Sequence, residues 1–461
     1  MPGSQRTWPD QTAFHSSVKR QSLERGRQSR THRASVDDIA SVDDAVRVDG
    51  ASDVDARYPR NPHHGMKNGL LVPLMTLVAS SLSPSDLHAQ TKEYTPLHPT
   101  AADTIAKASI ITQVLPSRSV VFRVKAPDAH QVSVLVGFSN PPTAMAPSYA
   151  LKKDNDGLWS VTVGPLAPDL YEVQFDVDGL MIADPGSPLP KPQRQVNTSL
   201  LEIPGDPPTF IQTRDVPHGT IRAETYHSKV LGTARPLLVY TPPGYDQHPQ
   251  ESYPVLYLYH GYGDTVYSWV TEGRVQPILD NAIADGTTVP MLVVIPDTHA
   301  LDPDQTPRTE VGHYLNQNVQ AEDRELFTDI IPFVVAHYRI KTDAKDRALA
   351  GLSMGGYQTV YTGFVHPDQF SALGVFSAGL LGLPDPLEHA LETPEKITAN
   401  IRYLYVTTGS KDPVTGPRTK EFVARLDELK IPYSFEQYPD QIHSMEVWRP
   451  SLNKFIAKLF H

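Results

Sequence analysis

The run Gly351–Gly356, with the sequence GLSMGG, constrains the fold of this chain more than any other feature. Glycines lie two residues before and two residues after Ser353, and the apolar run Arg347–Ala350 precedes them. A serine on a sharp turn between a strand and a helix needs this spacing, because larger side chains there would keep the strand and the helix apart. The pattern predicts a strand, a turn with an exposed hydroxyl, and a helix over Tyr357–Val365. It favours an α/β fold with a nucleophilic serine at the edge of a sheet.

The best candidate for the base that activates this serine is His443. A serine hydroxyl is a weak nucleophile near neutral pH and needs a histidine, which in turn needs an orienting carboxylate. In folds with such a turn, the carboxylate and then the histidine follow the serine, each in a loop after a late strand. His443 follows the strand-like run Tyr433–Tyr438 and precedes an amphipathic segment over Met445–Phe460. His366 ends the helix after the serine and His389 lies in a polar, proline-flanked stretch, so we expect His443 to be the base.

Asp412 is the best candidate for the orienting carboxylate. It follows the apolar, strand-like run Arg402–Thr408 and precedes a helical stretch around Lys420–Leu429. The alternative is that Asp412, which a proline follows, only starts a turn. Asp440 competes for the role but is three residues from the histidine on the same loop, and Asp385 falls in the proline-rich stretch.

Two backbone N–H groups are expected to bind the negative oxygen that forms during attack on a carbonyl. One belongs to Met354, which directly follows the serine. The strand-like run Val255–Tyr259 leads into the glycine-containing loop His260–Asp264, where the N–H of Tyr262 is the expected second donor. His260 precedes the serine in the chain, so we expect it to hold this loop by hydrogen bonding.

The order of these segments resembles the esterase-D-like branch of the α/β-hydrolases, which includes feruloyl, acetylxylan and enterochelin esterases and mycolyltransferase relatives. The resemblance covers the chain from about residue 215 to its end. It rests on the segments Tyr240–Tyr245, Tyr253–Gly263, Ile278–Asn281, Val293–Asp297, Ile331–Phe333, Tyr338–Arg339, Gly351–Gly356 and His443–Trp448. One departure is Ile442, which stands before the histidine where such families often have glycine.

The resemblance implies Ser353 as nucleophile, Asp412 as acid and His443 as base, in agreement with the interpretation of the residues themselves. It also implies that Trp269, just beyond the oxyanion loop, flanks the acyl pocket; plain core packing is the alternative. Further residues of that pocket are expected in the loops around Trp269, at 297–313 and at 379–391.

Ahead of this region, short runs alternate apolar and polar residues and are separated by Pro, Gly, Asn and Asp, which predicts a β-sandwich over 115–205. The runs are Ser119–Val124, Val132–Val136, Leu158–Val163 and Tyr171–Asp178. The predicted domain resembles the immunoglobulin-like (E-set) module that precedes many esterases of this family. Trp159 could bind sugar, but its alternation with Val161 and Val163 favours the core. A stiff, proline-rich linker at 204–208 leads to the hydrolase domain, expected over 215–461.

The first ninety residues are expected to lie outside the folded protein. Residues 1–65 are rich in Arg, Ser, Gln and Asp, which predicts disorder, and our hypothesis is that Met66 is the true start. Residues 66–89 have the form of a secretory signal peptide, with a basic start, the apolar run 69–82 and small residues at the end. The apolar run is too short to span a membrane. Residues 90–114 would then be a linker, and the protein would be secreted or periplasmic.

Composition limits the partners and cofactors. The net charge of −11 argues against nucleic acid and anionic membranes as partners. The chain contains no cysteine, which excludes disulfides and thiolate metal sites. It also contains neither a glycine-rich phosphate loop nor an H-E-x-x-H pair, so no metal and no cofactor is indicated.

The sequence therefore predicts a secreted serine esterase that acts on a carbohydrate-linked or small-molecule ester. We expect release of ferulate or acetyl groups from plant-wall polysaccharide, because the layout of sandwich and esterase resembles enzymes of that kind. An acyltransferase and a siderophore esterase of the same family remain alternatives. A non-catalytic carbohydrate-binding protein is the alternative from another class, although a degenerate hydrolase usually loses one of the three catalytic residues.

Overall fold

Two antiparallel sheets form the N-terminal part of the described chain. The computed structural model describes residues 111–137, 146–194, 198–305 and 310–461, which all belong to one compact unit. The strands of the two sheets are β1 Gln113–Val114, β2 Val120–Lys125, β3 Val132–Gly137, β4 Ser148–Ala150, β5 Lys152–Lys153, β6 Leu158–Val163, β7 Asp169–Val177, β8 Leu180–Ala183 and β9 Ser199–Ile203. One sheet has the order β1-β2-β6-β5 and the other β4-β3-β7-β8, with β9 also paired to β7. The leader predicted at 1–65 and 66–89 lies outside the described residues, as does most of the linker predicted at 90–114.

These two sheets share one hydrophobic core. Phe122 of the first sheet and Phe175 of the second are fully buried and meet edge to face, with ring centroids 6.3 Å apart. Trp159 is also buried in this core, at 7% exposure, as its alternation with Val163 predicts. Its indole N–H donates to the carbonyl of Ala126 at 2.8 Å, so the polar group of the ring is satisfied away from solvent.

In the rest of the described chain, eight strands form one mixed sheet. They are β10 Thr220–Ser228, β11 Thr233–Thr241, β12 Val255–Tyr259, β13 Leu292–Pro296, β14 Arg347–Leu352, β15 Ala372–Phe376, β16 Tyr403–Gly409 and β17 Ser434–Tyr438. Their order is β10-β11-β13-β12-β14-β15-β16-β17. β10, β11 and β13 pair antiparallel, and every other pairing is parallel.

Helices cover both faces of this sheet, so its central strands are continuous apolar runs. The helices are α1 Ser268–Thr271, α2 Val275–Ala284, α3 Val311–Glu325, α4 Ile331–His337, α5 Met354–Val365, α6 Asp385–Leu391, α7 Pro394–Asn400, α8 Gly416–Leu429 and α9 Met445–Ile456, with a π-helix at Leu326–Ile330. Successive residues of β12 face opposite cores: Tyr257 packs in one cluster and Leu256 and Leu258 in the other. Among the described residues, no helix is long and apolar enough to cross a membrane.

The parallel strands place their carboxyl ends at one edge of the sheet. The loops after β12, β14 and β16 therefore meet there, and the loop after β17 follows at the end of the sheet. Ligands and reacting groups of open α/β sheets gather at this edge, because the loops that follow the strands converge on it.

Candidate active site

Ser353 stands on a strained turn between β14 and α5. Its backbone has φ 52° and ψ −114°, a conformation that L-residues rarely adopt. A Cβ on Gly351 would lie 2.4 Å from backbone atoms of Gly355, and a Cβ on Gly355 would lie 2.7 Å from the carbonyl oxygen of His260. The flanking glycines are thus needed for the close approach of strand, helix and neighbouring loop, as the sequence predicts.

The structure brings Ser353, His443 and Asp412 together in one hydrogen-bonded row. The Nδ1 atom of His443 lies 2.8 Å from Oδ2 of Asp412. Since a carboxylate only accepts, Nδ1 carries the proton and Nε2 is left as an acceptor. The hydroxyl of Ser353 lies 3.0 Å from this Nε2 atom and can donate to it. The arrangement can therefore move a proton from the serine to the histidine while the carboxylate fixes the ring.

Asp412 is held as an ionised acceptor. The N–H groups of Val414 and Thr415 donate to its Oδ1 atom at 2.8 and 2.9 Å, and the Thr415 hydroxyl lies 2.9 Å from Oδ2. Burial opposes the negative charge, but the hydrogen bond and charge of His443 and the donors of Thr415 outweigh it and lower the pKa of Asp412 to about 2. The carboxylate is therefore charged at every pH at which the protein would work.

The competing residues lie elsewhere. His366 bonds Oδ2 of Asp323 at 3.1 Å, beyond the end of α5. His389 is in α6, where its Nδ1 atom is 2.7 Å from the carbonyl of Asp385 in the preceding turn. Asp440 is exposed and pairs with a lysine on the surface. None of these side chains joins the row of the serine, histidine and carboxylate.

The oxyanion loop, residues 260–264, lies directly beside the serine. A Cβ on Gly261 would be 3.5 Å from Cβ of Ser353. The carbonyl of Gly261 accepts hydrogen bonds from Nδ1 of His260 at 2.9 Å and from the N–H of Asp264 at 3.2 Å. In a trans peptide the N–H points away from the carbonyl, so these bonds also fix the direction of the Tyr262 N–H.

The other candidate donor belongs to Met354. This residue begins α5, and the first N–H groups of a helix lack partners inside the helix. The N-terminal end of the helix also carries partial positive charge. The end of the helix can therefore stabilise the negative charge that develops on a carbonyl oxygen when Ser353 attacks the carbonyl carbon.

His260 holds the oxyanion loop as the sequence predicts. Its side chain is fully buried, and its Nε2 atom accepts the N–H of Thr298 at 3.0 Å. Because Nδ1 is already engaged with Gly261, both ring nitrogens are used. The ring therefore joins the oxyanion loop to the loop after β13.

His299 and Tyr314 are parts of the site that no motif in the sequence predicts. Burial, together with the nearby His260, lowers the pKa of His299 to about 3, so its ring is neutral. Nε2 of His299 can then donate to the carbonyl of Tyr262 at 3.0 Å, and Nδ1 can accept from the Tyr314 hydroxyl at 2.6 Å. The signal in the sequence was weak: polar residues follow the strand β13 at the edge where the loops converge.

An apolar patch adjoins the serine. Met354 and Tyr314 are buried, and partly exposed side chains from three loops and from the first residue of α3 pack against them. These side chains are Tyr262, Leu301, Val311 and Leu381. The last three come from the regions 297–313 and 379–391, where the sequence analysis expects the acyl pocket.

Trp269 does not face this patch. Its side chain is fully buried, and its indole N–H donates to the carbonyl of Tyr259 at 2.9 Å. The ring packs with Leu258 and Met445 in a core on one face of the large sheet. Core packing, the alternative that the sequence left open, therefore describes this residue, and the expectation that it flanks the acyl pocket is corrected.

A comparison with models of known protein families gives a match that includes the three residues of this row. The model of the Esterase family matches residues 228–459, which is half of the chain and includes Ser353, Asp412 and His443. The chain belongs to the Esterase family. The match confirms the resemblance of residues 215–461 to this group of esterases.

Relatives of this Esterase-family chain include two larger proteins. It is 30% identical over 344 residues to an endo-1,4-beta-xylanase/feruloyl esterase of Xylanibacter ruminicola, over 74% of this chain and 44% of that protein. It is 35% identical over 156 residues to endo-1,4-beta-xylanase Y of Acetivibrio thermocellus, over 31% of this chain and 13% of that protein. The chain thus spans less than half the length of these curated relatives.

A solved structure supports the fold. The enterochelin esterase of Shigella flexneri is 17% identical, and the match covers 75% of this chain and 94% of that one with a TM-score of 0.54. The chain therefore shares the α/β-hydrolase fold of an esterase.

Proposed function

We propose that this chain is a serine carboxylic-ester hydrolase that releases ferulate or acetyl groups from plant-wall polysaccharide. The observation that carries the proposal is the unbroken row of hydrogen bonds from Asp412 through His443 to Ser353. Membership of the Esterase family supports ester hydrolysis. The name of the Xylanibacter relative, which combines xylanase and feruloyl esterase, supports a plant-wall substrate.

In the first half of the proposed reaction, the acyl group moves to the serine. His443 takes the hydroxyl proton of Ser353 at Nε2 while Oγ bonds to the ester carbonyl carbon. The N–H groups of Met354 and Tyr262 stabilise the oxyanion that forms. When this intermediate collapses, the bond to the alcohol breaks, the alcohol takes the proton from Nε2, and the acyl group stays on Oγ. Asp412 stabilises the imidazolium throughout.

In the second half, water releases the acid. A water molecule gives one proton to Nε2 of His443 while its oxygen bonds to the acyl carbon. The same two N–H groups hold the oxyanion. Collapse breaks the bond to Oγ, which takes the proton back, and the free carboxylic acid leaves with Ser353 restored.

The apolar patch beside the serine supports an aromatic acyl group. The partly exposed ring of Tyr262 packs on the buried ring of Tyr314 at 5.6 Å between centroids, and Leu301 and Leu381 add aliphatic surface. A flat aromatic acid buries more apolar area on such a surface than acetate does, and the gain is about 25 cal/mol per Å². Ferulate should therefore be preferred to acetate at equal chemistry.

We also propose the domain division that the sequence predicts. Residues 115–205 would form an immunoglobulin-like module, and residues 215–461 the hydrolase domain. The two antiparallel sheets with a shared core support the first assignment. Export stays a prediction of the sequence, because the residues concerned lie outside the part of the chain that the structure describes.

The deciding experiment compares wild type with Ser353→Ala on methyl ferulate and p-nitrophenyl acetate. Wild type should turn over both, with the higher kcat/KM on ferulate after correction for the leaving group, and the variant should lose a factor on the order of 10⁴ or more. Ser371→Ala is the matched control: its hydroxyl bonds the carbonyl of Lys345, near the amino ends of the strands, and its activity should be unchanged.

Other outcomes would point to the alternatives. Ester products on a sugar acceptor in place of free acid would indicate an acyltransferase. Turnover of a cyclic catechol ester but of neither test substrate would indicate a siderophore esterase. A folded wild type that binds arabinoxylan and turns over no ester would overturn the proposal in favour of a binding protein.

A further inference from the structure

A short segment from the N-terminal sheets runs along the oxyanion loop. This segment, residues 191–194, lies between β8 and β9 in the chain. Gln193 pairs with Asp264 as an isolated antiparallel bridge. The next residue, Arg194, donates its backbone N–H to the carbonyl of Gly263 at 3.2 Å. The segment therefore acts as a short extra strand beside the loop that should bind the oxyanion.

Side-chain hydroxyls bind the same segment just after the loop. The carbonyl of Pro192 accepts the hydroxyls of Thr265 and Ser268, each at 3.0 Å. Ser268 begins α1, so these bonds fix the segment to the start of a helix as well as to the loop. The segment thus contacts the chain at Gly263, Asp264, Thr265 and Ser268.

Lys191 anchors the segment underneath. Its ammonium group lies 2.8 Å from Glu172 of β7 and 3.0 Å from Glu272, which directly follows α1. All three side chains are almost fully buried. A buried ammonium between two carboxylates has one favourable position, so it fixes the segment relative to both halves of the protein.

The guanidinium of Arg194 reaches the residue that carries the oxyanion donor. It stacks on the ring of Tyr262 at 5.0 Å from the centroid, and Nη1 lies 3.4 Å from the Tyr262 carbonyl. Its Nη2 atom pairs with Asp304. The same carbonyl also accepts a hydrogen bond from Nε2 of His299 at 3.0 Å, so Arg194 and His299 together hold Tyr262.

We propose that Arg194 is a positioning residue for catalysis, because it holds Tyr262 with its N–H directed at the oxyanion. The inference rests on the proposed ester hydrolysis. Within the described part of the catalytic half, the side chains of His260, His299 and Asp264 bind this loop. The 191–194 segment adds support from the N-terminal sheets. A shift of the loop by about 1 Å can cost on the order of 100-fold in rate, because the donor acts only on the oxyanion.

The test uses Arg194→Ala and Arg194→Lys in the full chain. Arg194→Ala should lower kcat by roughly 10- to 100-fold while KM changes by less than about 3-fold. Lysine keeps the charge but cannot stack and donate as a planar fork, so Arg194→Lys should lie between wild type and alanine. Guanidinium ion at non-denaturing concentration should restore part of kcat in Arg194→Ala. Arg425→Ala, which removes an exposed pair on α8, is the matched control and should keep full activity.

Amide hydrogen exchange of residues 260–264 measures the loop without turnover. Exchange should be faster in Arg194→Ala than in wild type and unchanged in Arg425→Ala. Unchanged exchange and kcat in Arg194→Ala would overturn the inference while leaving the esterase proposal intact. A rise in KM at constant kcat would also overturn it, because Arg194 would then bind substrate directly. A wild type that turns over no ester would contradict the proposed function. In that case, faster amide exchange of residues 260–264 in Arg194→Ala would still show that Arg194 holds the loop.

Discussion

At the scale of single residues, a comparison of Gly351 with Gly312 shows how crowded the backbone is at the turn that carries Ser353. A Cβ on Gly351 would lie 2.4 Å from the carbonyl carbon and oxygen of Gly355, which are backbone atoms and cannot move cheaply. Gly312, near the start of α3, has nothing within 4 Å of the same position. The same substitution should therefore destabilise the protein at Gly351 and be tolerated at Gly312.

We predict that Gly351→Ala destabilises the protein by about 1–3 kcal/mol or more, because the added methyl group forces β14 and α5 apart. Gly312→Ala should leave stability unchanged or raise it by up to about 1 kcal/mol, since alanine is the better helix former. Urea unfolding of both variants gives the two free energies. Equal stabilities for the two variants would show that the turn between β14 and α5 is not crowded in solution.

Ser353, Asp412 and His443 could be chosen from the sequence because each sits in a loop after a recognisable strand. Their proximity could be expected because parallel strands end at one edge. Thr415 could in principle have been found, since Asp side chains in turns commonly accept hydrogen bonds from backbone N–H groups a few residues on, as Asp412 does here. His299 has no such local pattern: its pairing with the carbonyl of Tyr262 depends on two loops that are 37 residues apart.

At the scale of elements, the 191–194 segment shows where local patterns fail. In the sequence it is the end of a proline-rich stretch and looks like an exposed loop. In the structure Lys191 is buried between two carboxylates, which belong to different parts of the chain. One is Glu172 on β7, and the other is Glu272, which follows α1. Burial raises the pKa of Glu272, and repulsion from Glu172 adds to this, whereas Lys191 opposes it. Such a cluster becomes visible only when the chain is folded.

We predict that Lys191→Met lowers the free energy of unfolding by about 3–5 kcal/mol, because two carboxylates would remain buried without their cation. The triple variant Lys191→Met, Glu172→Gln, Glu272→Gln should recover part of the loss, since no buried charge then lacks a partner. Lys454→Met is the control: it removes an exposed ion pair with Glu436, worth roughly 0–1 kcal/mol. Denaturant unfolding of wild type and the three variants measures these differences, and a loss of stability in Lys191→Met no larger than in the control would contradict the prediction.

At the scale of the whole molecule, charged side chains join the N-terminal sheets to the last helix. Arg449 of α9 is buried and donates to Oδ1 of Asp169 at 2.7 Å and to the carbonyl of Leu170 at 3.2 Å, both on β7. It also donates to the carbonyl of Glu272 at 2.9 Å. The residues joined by the first of these bonds are 280 positions apart, so no local pattern predicts them. The N-terminal sheets are thereby tied to the helix that follows His443.

Glu446 makes this junction sensitive to pH. It is half-buried in the first turn of α9, one turn before Arg449. Burial is the main cause that raises its pKa to about 7, and repulsion from Asp169 adds to it, while Arg449 acts in the opposite direction. The unfolded chain would ionise this carboxyl near pH 4.3. The folded state therefore binds the proton more tightly, and its stability falls as the pH rises from about 4.3 through 7.

We predict that Glu446→Gln, which keeps the shape and removes the charge, stabilises the protein at pH 8 and has little effect at pH 4.5. Because the group is partly exposed and sits near the positive end of a helix, the expected gain is small, with Tm higher by roughly 1–4 °C at pH 8. Glu421→Gln on the exposed face of α8 is the control, and its Tm should follow wild type at every pH. Thermal unfolding of the three proteins between pH 4.5 and 8.5 measures the effect. The difference in Tm between Glu446→Gln and wild type could instead stay constant with pH or widen toward acid. Either result would show that Glu446 is not held protonated next to Asp169, and that the charges around Arg449 do not destabilise the folded protein.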